Sequence, residues 1–258
     1  MKKLEVRNPF SAPVYYEETV ESTMEVSKQL ACEGAAHGTV FFADFQTKGR
    51  GRIAGRLWEM NSAENLSFTV ILRYPGIENI PAALTLRAGL SVLTAIEEFA
   101  PVLKGRIKVK WPNDIMIESC KAAGILCEAE NGNVYLGIGI NTAQKEFPAH
   151  LRGKAASIAL ASGMEIKKEE RFSLLEKILE KLYEELEKNK NDWKIRLEQR
   201  LYKKGEEVIF TEGAADSGKI IKGIILGIGD SGELLIMPEG EALSRSFFSG
   251  EITFNINL

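Results

Sequence analysis

The alternation of apolar and polar positions in the first half of the chain predicts strands separated by helices. The sequence Ser-Thr-Met-Glu at 22–25 fits a helix capping box and predicts a helix that runs to about residue 31. Pro81 is predicted to open a second helix, whose apolar face runs from Leu84 to Phe99. Strands are predicted by apolar or alternating runs at 39–43, 67–73, 106–111, 115–117, 124–128 and 134–140. This mixture of helices and strands predicts a mixed domain.

The second half of the chain changes character twice. Between residues 169 and 203, apolar positions recur at helical spacing and the charged positions between them are typical of a solvated face. The predicted buried stripe consists of Phe172, Leu175, Ile178, Leu179, Leu182 and Leu186. After residue 203, short strands are predicted at 208–210, 220–226, 234–237 and 251–255, with Gly and acidic turns between them. We therefore predict two domains, 1–203 and a small β-barrel at 204–258.

Composition excludes several classes of protein. The 258 residues carry a net charge of −3, whereas a protein that binds mainly nucleic acid usually has a basic field. No run approaches the roughly 18 consecutive apolar residues of a membrane helix, and residues 1–7 lack the apolar run of a secretory signal. Three cysteines without close pairing indicate reduced thiols, and two isolated histidines argue against a His-based metal site or triad. We expect a cytoplasmic protein that binds neither DNA nor a membrane.

One motif match is misleading. Residues 227–232 have the glycine spacing of a dinucleotide-binding loop, but that loop must open a helix whose amides face a pyrophosphate. The residues that follow, 233–237, have the pattern of a strand. The segment therefore predicts a hairpin turn.

Residues 48–56 form a cationic, glycine-rich segment that can bind an anion. It contains Lys48, Arg50, Arg52 and Arg56 with three glycines and no acid. Glycine lets the backbone approach a ligand, and arginine offers paired donors to phosphate or carboxylate. The alternative is a mobile surface loop.

Three further segments place polar groups beside predicted strands. Residues 110–114, Lys-Trp-Pro-Asn-Asp, combine a cation, an amide and a carboxylate at a strand end, although Pro-Asn-Asp is also good turn chemistry. Lys121 precedes an apolar strand with Gly124 close behind, and could face a ligand or protect a strand edge. Gly and Ile alternate at 137–140 before Asn141, which leaves one strand face bare for a ligand or for tight packing.

Together and in this order, the segments resemble the biotin protein ligases, also called biotin–[acetyl-CoA-carboxylase] ligases. The residues that carry the resemblance are Ser22-Thr23, Gln46, Gly49-Arg50-Gly51-Arg52, Lys110-Trp111-Pro112-Asn113-Asp114, Lys121-x-x-Gly124-Ile125-Leu126, Gly137-Ile138-Gly139-Ile140-Asn141 and the closing Ser249-Gly250-Glu251-Ile252. The resemblance implies an α+β fold, with a mixed-sheet catalytic domain of the biotin/lipoate ligase type followed by a small SH3-like β-barrel. It also implies a two-step reaction with ATP and Mg²⁺. Biotin first forms biotinyl-5′-AMP, which a lysine of a biotin carboxyl carrier domain, of acetyl-CoA carboxylase or a similar carboxylase, then attacks.

The resemblance also implies roles for individual residues. Arg50 and Lys121 would hold the carboxylate and the α-phosphate, and Lys110 and Asp114 would serve phosphate or Mg²⁺ handling and the approach of the acceptor amine, with Asp114 as the metal ligand. The implied biotin-binding residues are Ser22, Thr23, Gln46, Gly49, Arg50, Lys121 and Gly124. The implied adenylate-binding residues are Arg50, Gly51, Arg52, Trp58, Asn113 and Asn141. The loop 49–56 is expected to order when biotin or adenylate binds.

The sequence departs from the family pattern in two places and leaves alternatives open. Met24 stands where the family usually has Asn, and the loop up to Trp58 is one residue longer than the common form. A lipoate or octanoate ligase and a catalytically inactive sensor therefore remain as alternatives. About twenty residues precede Ser22, and we expect no DNA-binding domain; relatives often dimerise through a sheet edge, so a homodimer is open.

Overall fold

Two sheets carry the fold in a computed structural model, which describes residues 1–53, 57–58, 63–188, 191–213 and 218–253. The larger sheet has eight strands in the order β1-β2-β3-β4-β8-β7-β6-β5. Its strands are β1 (Lys2–Leu4), β2 (Val14–Val20), β3 (Thr39–Gln46), β4 (Asn65–Arg73), β5 (Ile107–Lys110), β6 (Asp114–Ile117), β7 (Cys120–Glu130) and β8 (Asn133–Asn141). The pair β2–β3 is parallel and the other pairs are antiparallel, so the sheet is mixed as predicted.

Helices cover both faces of this sheet. The helix α1 (Thr23–Cys32) packs on β3, β4 and β8 at one face. At the other face, α2 (Leu84–Phe99) packs on β5, β6 and β7, with α4 (Glu170–Tyr183) and α5 (Trp193–Arg200) against it. Shorter helical pieces are α3 (Ile158–Ser162), the 3-10 turns Ile77–Asn79, Pro101–Leu103 and Ala149–Leu151, and a π-helical turn Glu184–Lys188.

Alternation along the central strands divides the core between these two faces. On β3, Val40 and Phe42 belong to the large core below α2 and α4, whereas Phe41 and Ala43 pack in a smaller cluster with α1. Successive strand side chains point to opposite faces, so a strand buried on both faces is apolar without interruption. Residues 39–44 of β3 and 65–72 of β4 are all buried, which reflects that double burial.

The second sheet is antiparallel, with the order β12-β11-β10-β9-β13. Its strands are β9 (Glu207–Glu212), β10 (Lys219–Ile228), β11 (Leu234–Pro238), β12 (Arg245–Phe247) and β13 (Gly250–Thr253). In the described part of the chain no pairing joins the edge strands β12 and β13. The predicted small C-terminal β unit is thus confirmed as a five-stranded antiparallel sheet, and the described residues do not show it closed into a barrel. The end of the strand predicted at 251–255 lies outside the described residues.

Most predicted elements are confirmed, and their ends moved for identifiable reasons. The helix predicted from Pro81 begins at Leu84 because Ala83 has a left-handed backbone, with φ of 55°. Ser22 is the N-cap of α1, but its side chain makes no capping hydrogen bond. The strands β1, β2 and β12 and the helix α3 were not predicted. The segment 227–232 is a hairpin turn, in which the Gly229 amide donates to the Glu233 carbonyl at 2.8 Å, so the dinucleotide motif is rejected as predicted.

The long helical prediction for residues 169–203 holds only in part. Within the described residues it is divided into α4, the π-helical turn and α5, and it ends at Arg200. Its predicted stripe is buried except for Phe172, which is half-buried. The domain boundary at residue 203 remains a prediction.

One described segment, Ile77–Phe99, is long and apolar enough by composition to cross a membrane, although it is not a run of consecutive apolar residues. Of the window that meets this criterion, 61% is buried inside the fold. The segment ends in α2, the central helix of the large core, and that packing accounts for its apolar composition.

Candidate active site

A pocket lies on the sheet face that α1 covers. The residues that line it are Ser22, Thr23, Met24, Gln46, Arg50, Gly51, Arg52, Trp58, Phe68, Thr69, Asn113, Lys121, Gly124, Ile125, Leu126, Gly137, Ile138 and Gly139. They come from separate segments between residues 22 and 139, and ten of the residues that the sequence predicted for the site are among them. The structure therefore brings together the segments that carry the family resemblance.

The floor of the pocket is the backbone of β8, which carries no side chains at Gly137 and Gly139. Two large side chains from other segments, Trp58 and Met24, pack onto this backbone. A Cβ added at Gly139 would stand 2.7 Å from Cε2 of Trp58, and one added at Gly137 would stand 2.9 Å from Cε of Met24. The cavity that remains beside these side chains measures about 80 Å³. Nε1 of Trp58 is buried and has no hydrogen-bond partner in the described part of the chain. An indole N–H donor thus lies at the floor of the pocket, where a ligand could satisfy it.

Neutral polar groups converge where α1 begins. Oε1 of Gln46 accepts hydrogen bonds from the backbone N–H of Thr23 at 2.8 Å and from its hydroxyl at 3.0 Å. The hydroxyl of Thr69 donates to Oγ1 of Thr23 at 3.0 Å. These side chains hold one another in fixed orientations, and Ser22 is buried beside them. Such a group suits the recognition of a neutral polar ligand head, because a wrong ligand would leave its donors and acceptors unpaired.

Three cations line the pocket, and carboxylates contact two of them, Arg50 and Lys121. Nη2 of Arg50 lies 2.7 Å from Oε1 of Glu25 and 3.0 Å from Oε1 of Glu128. Nζ of Lys121 lies 2.6 Å from Oδ1 of Asp114 and 5.7 Å from the centre of a Trp58 ring. Cations in these positions can bind a carboxylate or a phosphate that enters the pocket.

The third cation of the glycine-rich segment contacts the second sheet. Nη2 of Arg52 donates to the carbonyl of Gly250 on β13 at 2.8 Å. Backbone contacts also join the two ends of the segment. Arg50 forms an isolated antiparallel β-bridge with Leu57, and the Trp58 amide donates to the Gly49 carbonyl at 3.0 Å. Gly49 lies in this stem and is not a lining residue. Residues 54–56, which include the predicted Arg56, lie outside the described residues, so the expected ordering of this loop remains a prediction.

The segment 110–114 lies at the edge of the pocket. Asn113 lines it, and its side-chain amide donates to the carbonyl of Ile125 at 2.8 Å. Lys110 is buried and is paired in register with Asp114 across β5 and β6, and neither is a lining residue. The indole of Trp111, which precedes a cis proline, donates to the Gly232 carbonyl in the second sheet at 3.0 Å. The roles predicted for Lys110 and Asp114 remain predictions.

Asn141 lies at the end of β8, outside the set of lining residues. Its Oδ1 accepts hydrogen bonds from Asn65 at 3.0 Å and Gln144 at 3.2 Å, and its Nδ2 donates to the Ala156 carbonyl at 3.0 Å. The side chain therefore ties three backbone segments together. Its predicted contact with a nucleotide remains a prediction.

A buried ionic cluster on the opposite face of the sheet was not found from the sequence. The carboxylate of Asp44 lies 2.7 Å from Nη2 of Arg171 and 2.7 Å from Nζ of Lys168, and accepts a hydrogen bond from the Tyr16 hydroxyl at 2.7 Å. Burial raises the pKa of Asp44, but these three partners outweigh burial and leave the pKa below its usual value. Burial, followed by the bond to Asp44, raises the pKa of Tyr16 to about 12. No local pattern links β3 to α4, so no sequence signal could have found this cluster.

The described residues do not build a metal site by themselves, since they contain no group of three His, Cys, Asp or Glu side chains able to hold an ion. Asp114 offers one carboxylate, and it is engaged by Lys121. Magnesium commonly binds through one or two carboxylates together with substrate phosphates. The role of Asp114 as a magnesium ligand therefore remains a prediction.

Comparison with known proteins agrees with this geometry. The chain is 31% identical over 247 residues to the biotin–[acetyl-CoA-carboxylase] ligase of Paracoccus denitrificans, an alignment that covers 89% of this chain and 98% of that protein. The chain belongs to the biotin/lipoate A/B protein ligase family. The model of that family matches residues 16–143, which span β2 to β8 with α1 and α2 and therefore contain the pocket.

Other members of the biotin/lipoate A/B protein ligase family are similar over different lengths. The bifunctional ligase/repressor BirA of Bacillus spizizenii is 39% identical over 160 residues, an alignment that covers 58% of this chain and 47% of that one. The chain thus spans about half the length of the Bacillus relatives that it matches. The structure of the biotin protein ligase from Aquifex aeolicus in complex with biotin and ATP has a TM-score of 0.78 and 29% identity, covering 93% of this chain and 97% of that one.

Proposed function

We propose that this family member catalyses ATP-dependent biotinylation of a lysine on a biotin carboxyl carrier domain, through biotinyl-5′-AMP. The observation that carries the proposal is the pocket itself, which combines a neutral polar end, a glycine floor and three cations. The similar Aquifex aeolicus ligase, solved with biotin and ATP, supports the choice of substrates. ATP and biotin are therefore the proposed ligands.

Each part of the pocket suits one part of biotin. The neutral ureido ring would hydrogen-bond with Ser22, Thr23 and Gln46, and the apolar ring and chain would lie over the glycine floor. The carboxylate would then reach Arg50 and Lys121. Gly124 lines the pocket and lets the backbone come close to the ligand, and Gly49 in the loop stem keeps its predicted role in biotin binding.

The first step joins two anions, which is why it needs cations. A carboxylate oxygen of biotin bonds to the α-phosphorus of ATP, and the bond from that phosphorus to the bridging oxygen breaks, so pyrophosphate leaves with its electron pair. Arg50 and Lys121 would neutralise both reactants and the charge that develops between them. In the second step the neutral lysine amine of the carrier attacks the acyl carbon, AMP leaves, and the amine loses its proton. Asp114, which contacts Lys121, and Lys110, the register partner of Asp114, are proposed to guide that amine and the phosphates.

The nucleotide would lie towards the glycine-rich segment. We assign Arg52 and Gly51 to the adenylate, Trp58 to the adenine ring, and Asn113 and Asn141 to further contacts with the nucleotide. Magnesium would enter bound to the phosphates of ATP, with the Asp114 carboxylate as its proposed protein ligand. The proposed setting is the cytoplasm, with a carrier domain of acetyl-CoA carboxylase or a similar carboxylase as partner, and a homodimer as the oligomer to test.

The deciding experiment measures pyrophosphate release with Mg²⁺ and ATP, offering biotin, lipoate and octanoate separately. Release with biotin alone is the expected result. Release with lipoate or octanoate alone would replace the proposal with a lipoate-type ligase. No release with any of them, together with tight binding of biotin, would indicate a sensor.

The lipoate-type alternative rests on one specific observation. Met24 is buried in the pocket with its terminal methyl over Gly137, and so adds apolar surface at the end where the ureido ring would bind. A longer, more apolar acyl chain would gain from this contact. For this reason octanoate belongs in the same assay.

A further inference from the structure

Two glutamates from different elements form ion pairs with the same arginine of the pocket, Arg50. Glu25 lies in the first turn of α1 and Glu128 lies on β7. Their carboxylates approach Nη2 of Arg50 to 2.7 Å and 3.0 Å. Nζ of Lys28 lies 2.8 Å from Glu128, so the contact joins α1 to β7 as well. The four side chains form one network of two cations and two anions.

The loop that carries Arg50 has little regular structure of its own in its described part. Its stem is pinned by the pairing of Arg50 with Leu57 and by one backbone bond between Trp58 and Gly49. A helix and a strand hold Glu25 and Glu128, whereas a glycine-rich segment holds Arg50. Rigid elements therefore supply the anchor, and the loop supplies the group that is anchored.

The ion pairs with Glu25 and Glu128 involve only one nitrogen of the Arg50 guanidinium. Within the described residues, Arg50 makes its side-chain contacts through Nη2, which leaves Nε and Nη1 available to a ligand. Arginine has five donors in a planar fork, so a carboxylate can hold one edge while a second anion binds another. Both glutamates are needed to hold Arg50 in one position, because half-exposed ion pairs are individually weak.

The geometry points to Glu128 and Glu25 as positioning residues that set Arg50, and the loop stem with it, against the pocket for the carboxylate substrate. This inference rests on the proposed function. Neutralising Glu128 removes a charged partner of Arg50 without changing the shape of the side chain. The stem that carries Arg50 also places Trp58 on the glycine floor, so its position affects the whole pocket.

The test is a double-mutant cycle read by biotin binding in calorimetry and by pyrophosphate release. Glu128→Gln is expected to weaken biotin binding about threefold, and Glu25→Gln with Glu128→Gln about five- to tenfold. KM for biotin should rise in proportion, while kcat falls by a smaller factor, since Arg50 itself remains present to neutralise the reacting anions. In an Arg50→Ala background, Glu128→Gln should have no further effect on binding. The matched control is Glu130→Gln, two residues further along the same strand and exposed, which should bind as the unmodified protein does.

Three outcomes would overturn the inference. Unchanged biotin binding in the protein with both Glu25→Gln and Glu128→Gln would show that these glutamates do not position Arg50 for binding. Equal weakening with and without Arg50 would show a structural role that does not act through it. Tighter binding would show that the glutamates compete with the ligand. If the unmodified protein binds no biotin, the proposed function is wrong. That result is distinguishable from the three outcomes above, because each of them requires that the unmodified protein binds biotin.

Discussion

The indole of Trp58 lies so close to Gly139 that a Cβ at position 139 would be 2.7 Å from Cε2 of the ring. A loop residue and a strand residue that are 81 positions apart thereby share one contact surface. The absence of a side chain at 139 is what lets the ring reach the sheet. The contact explains why glycine and not another small residue suits this position.

Gly139→Ala is therefore expected to lower the rate of adenylate formation about tenfold, because the ring must move away from the floor or the methyl group must displace the ligand. Gly124→Ala provides a graded comparison, since its Cβ would stand 3.3 Å from Lys121 and 3.4 Å from Trp58. Its effect should be smaller. The rate of pyrophosphate release is measured for both variants. A larger loss in Gly124→Ala than in Gly139→Ala would contradict the close contact between Trp58 and Gly139 as the cause.

Removing either Arg50 or Lys121 from the pocket should slow the first step. Lys121→Ala and Arg50→Ala are each expected to lower adenylate formation at least about tenfold, or roughly 1.4 kcal/mol, because the two reacting anions are then less well neutralised. Lys48→Ala is the control, since Lys48 lies on the same segment but is exposed and paired with Glu21. Full activity in both pocket variants would refute the roles assigned to them.

Met24 is predicted to tune the choice of acyl substrate. Met24→Asn should shift the preference between biotin and octanoate towards biotin, because an amide replaces the apolar group over Gly137. The buried amide should also cost about 1–3 kcal/mol of stability if it finds no partner. Met24→Leu keeps the volume and the apolar character and should leave the preference unchanged. If Met24→Asn binds biotin with the same affinity, the residue is structural and not selective.

The Asp44 cluster is predicted to dominate stability at one end of the sheet. Asp44→Asn should lower the free energy of unfolding by about 3–5 kcal/mol at pH 7, because it leaves the buried Arg171 without its carboxylate. Lys168→Met should cost less than about 1 kcal/mol, since Lys168 is half-exposed. Urea unfolding measures both.

The same cluster predicts a pH dependence with a defined sign. The pKa of Asp44 is lower in the folded protein than its ordinary value, so the stability it contributes is present above about pH 4. That contribution is lost as the pH falls through the folded pKa. The difference in unfolding free energy between the unmodified protein and Asp44→Asn should therefore shrink between pH 7 and pH 3. A constant difference would mean that Asp44 does not titrate with folding.

Local patterns predicted most elements of the chain but missed those without a periodic signal. β4 and β8 were found because each carries a long apolar run, and α4 because its stripe has helical spacing. β1 has three residues, and β2 carries polar residues at its centre, so neither stood out from a loop. The start of α2 was misplaced because nothing in the sequence marks the left-handed backbone of Ala83.

By itself the sequence determined the chemical inventory of the site and the type of the main elements. Helix and strand periodicity and the spacing of cations, glycines and amides are local properties, so they can be read along the chain. Only the tertiary structure decided which groups meet. It brought Asp44 to Arg171, 127 positions away, set Glu128 beside Arg50, and directed the amide of Asn141 to Asn65 and Ala156. These pairings depend on strand order and on which face each side chain occupies, and no local pattern encodes either of them.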